Sequence, residues 1–332
     1  MIKTQTPTVS VVMSIFKEPI DWMRQSIDSI LHQTFTDFEF IIVNDCPGRD
    51  ENRMLLEEYQ KHEQRIVIIE NKENIGLTRS LNKGLSVSRG KYIARMDADD
   101  IAFEDRFQTQ LDFLKQHPEI DLCHCAFEQI DDAGEHLGDI ILTEREKQPA
   151  YLFILDVIAH PTVMFHRHLL EKRIPLYNEE YRNAQDYELW SYLFLKGATF
   201  GYIEKKLLRY RLSKSQITRK ENGTQVDNGR RIRRTLIYNY LVQKGCDLNW
   251  SFTAVDVLQE LKKHSRIIFE DINIKYYIKF ISYFTCARYG RAFLVLNYLV
   301  DKDLLVTKLP IKNSIYVLLS PVLKNRWKMI EV

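Results

Sequence analysis

Cysteine is scarce in this chain, with five in 332 residues. Cys46, Cys123, Cys125, Cys246 and Cys286 are too sparse, and odd in number, for a disulfide framework, which points to a reducing compartment. Cys123-His124-Cys125 lacks the second ligand pair of a structural zinc site and reads as part of a buried strand. Long apolar runs are missing as well: none approaches the about 18–20 residues that cross a bilayer. No signal-peptide pattern precedes the first strand-like run, so the expected location is the cytoplasm. Charge of one sign is absent too. Forty-seven Lys and Arg against 45 Asp and Glu leave +2, which gives no global field for nucleic acid. Of the 12 glycines, none falls in Ser14-Ile15-Phe16-Lys17-Glu18-Pro19, where a nucleotidyltransferase normally carries a Gly-rich phosphate loop.

Present instead is a regular alternation. Val9–Phe16, Phe38–Val43 and Ile66–Ile69 are near-continuous apolar runs, the pattern of parallel strands covered on both faces. Helical stretches at about 20–33, 50–62 and 77–88 separate and follow them, as in βαβ units. A fourth apolar run, Tyr92–Met96, drops into Asp97-Ala98-Asp99-Asp100. Three carboxylates within four positions repel one another, and a divalent cation relieves that repulsion; hard oxygen ligands suit Mg²⁺ or Mn²⁺. The carboxyl end of a strand is also where open α/β sheets bind ligands. The competing reading of this tetrapeptide is a solvated acidic turn that caps the next helix.

The order of the pieces resembles family 2 glycosyltransferases over residues 7–220. Val9–Phe16 is similar to that family's first strand, and Ile41-Ile42-Val43-Asn44-Asp45 to its Val-Asp-Asp segment. Asn74-Ile75-Gly76-Leu77 through Leu81-Asn82-Lys83-Gly84 resembles its Asn-x-Gly-Leu…Asn-x-Gly helix. Gly90-Lys91-Tyr92-Ile93 leads to the carboxylate cluster. His160-Pro161-Thr162, Gln185-Asp186-Tyr187-Glu188-Leu189-Trp190 and Tyr210-Arg211-Leu212-Ser213-Lys214-Ser215-Gln216 follow in order. The resemblance implies an α/β GT-A fold: a Rossmann-like nucleotide-sugar-binding domain with a mostly parallel central sheet. It places a nucleotide-binding half at 1–100 and an acceptor-binding half at 101–220, followed by a helical region at 221–332.

It also implies an inverting, metal-dependent hexosyl transfer from a UDP-sugar, and assigns roles. Asp99 is the expected direct ligand of Mn²⁺ or Mg²⁺, with Asp97 on the ribose or the outer metal shell and Asp100 orienting the donor sugar. Ser14, Phe16 and Glu18 close the first strand on the donor side, with the Phe16 ring available to stack on uracil. Asp45 suits the uracil N3–H, although Asn44 stands where the family often has Asp, and the sequence leaves open which of the two touches the base. Arg79 offers charge to the diphosphate; many family members carry this Arg at the position of Leu81. Asp186 is the expected general base and Glu188 the runner-up. Gln185 replaces the family's usual acid. His160 and Trp190 fall on the acceptor side. Arg211 heads a loop expected to close over the diphosphate, where Ser213 replaces the family's His.

From Lys262 to Val332 there are 13 Lys and Arg against five Asp and Glu, with aromatics interleaved from Phe269 to Trp327. Basic, aromatic, amphipathic helices suit the cytoplasmic face of an anionic membrane; ordinary packing on the catalytic domain is the alternative. The expected acceptor is a growing surface glycan on a lipid diphosphate. The competing functions are a nucleotidyltransferase and a non-enzymatic sugar-nucleotide-binding or membrane-scaffold protein.

Overall fold

The computed structural model describes residues 6–144, 146–147, 149–153, 156–213, 223–245 and 247. The basic aromatic stretch after Lys262 lies outside these residues. The chain divides into two compact units, Met1–Pro149 with Asp156–Gly229, and Ala150–Leu155 with Arg230–Val332.

The first unit carries the whole sheet. Its opening half is four strands in parallel, in the order β3 (Ile66–Glu70), β2 (Phe38–Asn44), β1 (Val9–Ile15), β4 (Tyr92–Met96). All seven residues of β2 and all five of β4 are buried. That is why these segments read as unbroken apolar runs rather than as an alternation. Helix α1 (Ile20–Leu31) lays Met23, Ile27 and Ile30 on Val11, Met13, Phe40 and Ile42. The i, i+4, i+7 spacing forms one stripe. Full burial of each such side chain is worth about 1.5–3 kcal/mol.

Helix α2 (Asp50–His62) follows β2, and helix α3 (Leu77–Val87) follows β3. Helix α3 lies on the opposite sheet face from α1. A Cβ at Gly84 would meet Val12 Cγ1 at 2.7 Å and Val43 Cγ2 at 3.3 Å, so only glycine lets the helix come this close to β1 and β2.

Beyond β4 the sheet becomes mixed. Strand β8 (Met164–His166) runs antiparallel between β4 and β6 (Leu122–Ile130), β6 pairs in parallel with β9 (Phe200–Arg211), and β9 pairs with the two-residue β5 (Ile101–Ala102). Strand β7 (His136–Ile140) forms a hairpin with β6, and α4 (Arg106–Gln116) precedes β6. Cys123 and Cys125 are buried in β6 as the sequence led one to expect. Helix α5 (Gln185–Leu195) comes between β8 and β9. The expected alternation of strands and helices is thus the observed one, and the α/β architecture with a mostly parallel sheet is as read from the sequence.

In the second unit, helix α6 (Gly223–Gln243), which begins in the first, buries Ile232, Leu236, Ile237, Tyr240 and Leu241; Tyr240 meets Phe153 edge to face at 5.0 Å. Among the described residues no helix is long and apolar enough to cross a membrane.

Candidate active site

Strand β4 ends at Met96 and releases Asp97, Asp99 and Asp100 into one cluster, each offering a carboxylate oxygen within 4.8 Å of the others. Two buried contacts hold the turn. Ser26 Oγ donates to the Asp97 carbonyl at 2.7 Å, and the Arg211 N–H donates to Asp100 Oδ1 at 2.8 Å. Asp100 is fully buried and its Oδ2 has no hydrogen-bond partner. Burial first, then the charges of Asp99 and Asp97, push its carboxyl well above the usual range. Three oxygen donors around a buried, unpartnered carboxylate oxygen suit a hard divalent cation.

Arg95, one pleat before Asp97 on β4, is 3 % exposed and forms an ion pair with it. Its Nε has no hydrogen-bond partner. The Arg95 charge also acts on Asp100, Asp186, Tyr177 and His160. Asp186 opens α5, and its Oδ1 accepts the Tyr187 N–H at 2.8 Å. Burial pushes the Asp186 carboxyl up, the Tyr187 N–H and Arg95 oppose that rise, and Asp97 adds to it. Asp156 is a second carboxylate beside it, driven well above its usual range by burial and by the Asp186 charge. No cation pairs with Asp186 among the described residues, whereas Glu188 is held by Arg173 through two contacts of 2.7 Å.

The residues expected on the donor side are engaged in a different way. Asp45 accepts from Asn71 Nδ2, Ile75 N–H and Gly76 N–H, each at 2.8 Å. It thereby fixes the turn that starts α3, where Gly76 takes φ +84°, a conformation glycine adopts without strain. Asn44 donates to Glu70 Oε2 at 2.9 Å and accepts from Cys46 N–H and Asn52 Nδ2. Glu18 Oε2 accepts the Phe16 N–H at 2.7 Å, and burial raises its carboxyl. Lys17 Nζ stands 5.1 Å from the Phe16 ring centroid. Ser14 is partly buried near the end of β1. Arg79 is paired with Glu179 at 2.8 Å.

Arg211 belongs to the end of β9 rather than to a loop, and Lys214 to Gln216 lie outside the described residues. Its guanidinium is 1 % exposed. It donates to the carbonyls of Asp99, Asp131 and Asp132 and to Gln25 Oε1, and lies over the Trp22 ring. In this structure it shapes the carboxylate turn from behind. His160 is buried in a short 3-10 turn, His160–Thr162, with Nε2 2.6 Å from the Tyr177 hydroxyl. Burial, reinforced by the Arg95 charge, keeps its imidazole neutral, and burial keeps the Tyr177 proton in place. Trp190 is fully buried and meets His160 edge to face at 5.9 Å.

Arg95, Asp156 and Tyr177 were not singled out from the sequence. Arg95 carried a signal: a cation inside a buried strand needs a partner on its own face, and Asp97 is two residues on. Asp156 and Tyr177 carried none.

Comparison with known proteins bears on this arrangement. The sequence model described as Glycosyl transferase family 2 matches residues 10–174. An uncharacterized glycosyltransferase of Methanocaldococcus jannaschii is 36% identical over 208 residues, which is 62% of this chain and 71% of the relative. One of Haemophilus influenzae is 32% identical over 252 residues, 73% of this chain and 77% of that protein. The putative glycosyltransferase EpsE of Bacillus subtilis is 29% identical over 225 residues, covering 67% and 79%. The crystal structure of S. aureus TarS 1-349 in complex with UDP-GlcNAc shares the fold, with a TM-score of 0.60 at 14% identity over 98% of this chain and 94% of that one. On these matches, the chain belongs to glycosyltransferase family 2.

Proposed function

We propose that this glycosyltransferase inverts the anomeric centre of a UDP-hexose and moves the sugar to a hydroxyl of a growing glycan carried on a lipid diphosphate. The observation that carries the reading is the cluster of Asp97, Asp99 and Asp100 at the end of β4, whose Asp97 is paired with Arg95 and whose charge acts on Asp186. Asp99, within the cluster of three carboxylates, is the direct ligand of Mn²⁺ or Mg²⁺, as the likeness to the family implies. When bound, the cation supplies positive charge to the departing diphosphate. Asp186 takes the proton of the acceptor hydroxyl; among the described residues no cation forms an ion pair with it, and Arg95 opposes the rise in its pKa. Glu188, tied to Arg173, is the weaker candidate. UDP as the nucleotide is favoured by the UDP-GlcNAc complex of TarS. Asp45, Asn44, Phe16, Ser14 and Glu18 make up the nucleoside end in this reading, and Arg79 turns from Glu179 to the diphosphate. The basic aromatic stretch after Lys262 favours a membrane-borne acceptor.

The test is a screen of UDP-, GDP- and dTDP-sugars with and without Mn²⁺, reading released nucleotide. Release of UDP that requires both the cation and an acceptor is the expected result. Metal-independent release, or release from GDP-sugars alone, overturns it.

A further inference from the structure

The carboxamide of Asn82, on α3, reaches 95 positions along the chain and grips both main-chain groups of Tyr177: Nδ2 donates to its carbonyl at 2.9 Å and Oδ1 accepts its N–H at 2.9 Å. A primary amide carries donor and acceptor in one plane, so it can replace a strand neighbour in this way. One turn earlier on the same helix, Arg79 holds Glu179 at 2.8 Å. From Tyr177 the chain passes through two tight turns, Tyr181 N–H to the Asn178 carbonyl at 3.2 Å and Ala184 N–H to the Tyr181 carbonyl at 3.4 Å. It then enters α5 at Gln185 and Asp186. Little slack separates the gripped residue from Asp186.

The grip is also rigid on its other side. Helix α3 is pressed on β1 and β2 through Gly84, and its start is tied to Asp45 through Ile75 and Gly76. Asn71 links Asp45 to Ser80, and Lys83 holds Asn71. We infer that Asn82 is a positioning residue for the general base: through Tyr177 it sets the location of Asp186 relative to the donor-side end of the site. The inference rests on the assignment of Asp186 as base.

The experiment compares Asn82→Asp, Asn82→Gln and Asp186→Asn, singly and with Asn82→Asp combined with Asp186→Asn. It uses the donor selected by the screen for turnover and UDP for calorimetry. Asn82→Asp keeps the size and loses the donor group. Its kcat should fall about tenfold or more, since misplacement on the 1 Å scale costs up to about 10²-fold. UDP affinity and donor KM should change less than about threefold. Asn82→Gln, which retains donor and acceptor, should recover part of the loss. In the Asp186→Asn background, Asn82→Asp should cost nothing further, because the group it positions is gone. Normal kcat in Asn82→Asp beside an impaired Asp186→Asn overturns the inference alone. So do losses that multiply in the double variant, or UDP affinity that falls in step with kcat. Normal kcat in Asp186→Asn overturns the base assignment and the inference with it.

Discussion

As the proposed base, Asp186 would act only as the anion, and its surroundings make the anion harder to form. The sign follows directly. With a raised pKa, the carboxylate takes up its proton at a higher pH than an ordinary Asp, near 3.9. The acid limb of kcat should therefore have its midpoint above that value, with activity lost as pH falls through it. Asp186→Asn should abolish that limb, lower kcat by about 10²-fold or more, and leave UDP binding near wild type in calorimetry. A Asp186→Asn enzyme with normal turnover would falsify the base assignment. Asp99 makes a second residue-scale prediction. Wild-type protein should gain melting temperature with added Mn²⁺, because a ligand that binds only the native state stabilises it. Asp99→Ala should lose both that gain and metal-dependent turnover; an undiminished gain would place the ion elsewhere.

At the scale of elements, α3 packs directly on β1 and β2. Gly84→Ala adds a methyl 2.7 Å from Val12 Cγ1, and overpacking of this kind costs about 1–3 kcal/mol. Chemical denaturation should show that loss with the m-value unchanged. A variant as stable as wild type would mean that the helix slides freely on the sheet. Strands β1 to β4 were legible in the sequence because strands covered on both faces leave long apolar runs. The rest of the sheet was not. Strand β8 has three residues and β5 has two, too few for any period to show. Strand β9 mixes Glu204, Lys205, Lys206 and Arg209 with apolar positions, so its membership in the sheet depends on partners far away. The same limit applies to the site. The carboxylate cluster and Asp186 are local signals. The pairing of Arg79 with Glu179 spans 100 positions, and the approach of Asp156 to Asp186, like that of Tyr177 to His160, exists only once the chain has folded.

At the scale of the whole molecule, Arg211 joins pieces that are remote in sequence: α1 through Gln25 and Trp22, the carboxylate turn through Asp99 and Asp100, and the β6–β7 hairpin through Asp131 and Asp132. Arg211→Ala leaves four acceptors without their cation. Hydrogen bonds to charged groups are worth roughly 1.5–3 kcal/mol each, so the variant should melt well below wild type and show a reduced Mn²⁺-induced gain. Equal melting curves would reduce Arg211 to a bystander.

That joint has a consequence for the chain during its own synthesis. Translation delivers the N-terminal end first, and β1 to β4 have all been synthesised once Met96 is made. The turn that carries Asp99 and Asp100 then waits for a clasp 111 positions downstream at Asp100 and 112 at Asp99. The turn that carries the three carboxylates is thus closed by a partner made more than a hundred residues later, so no N-terminal fragment ending before Arg211 contains every contact that holds it.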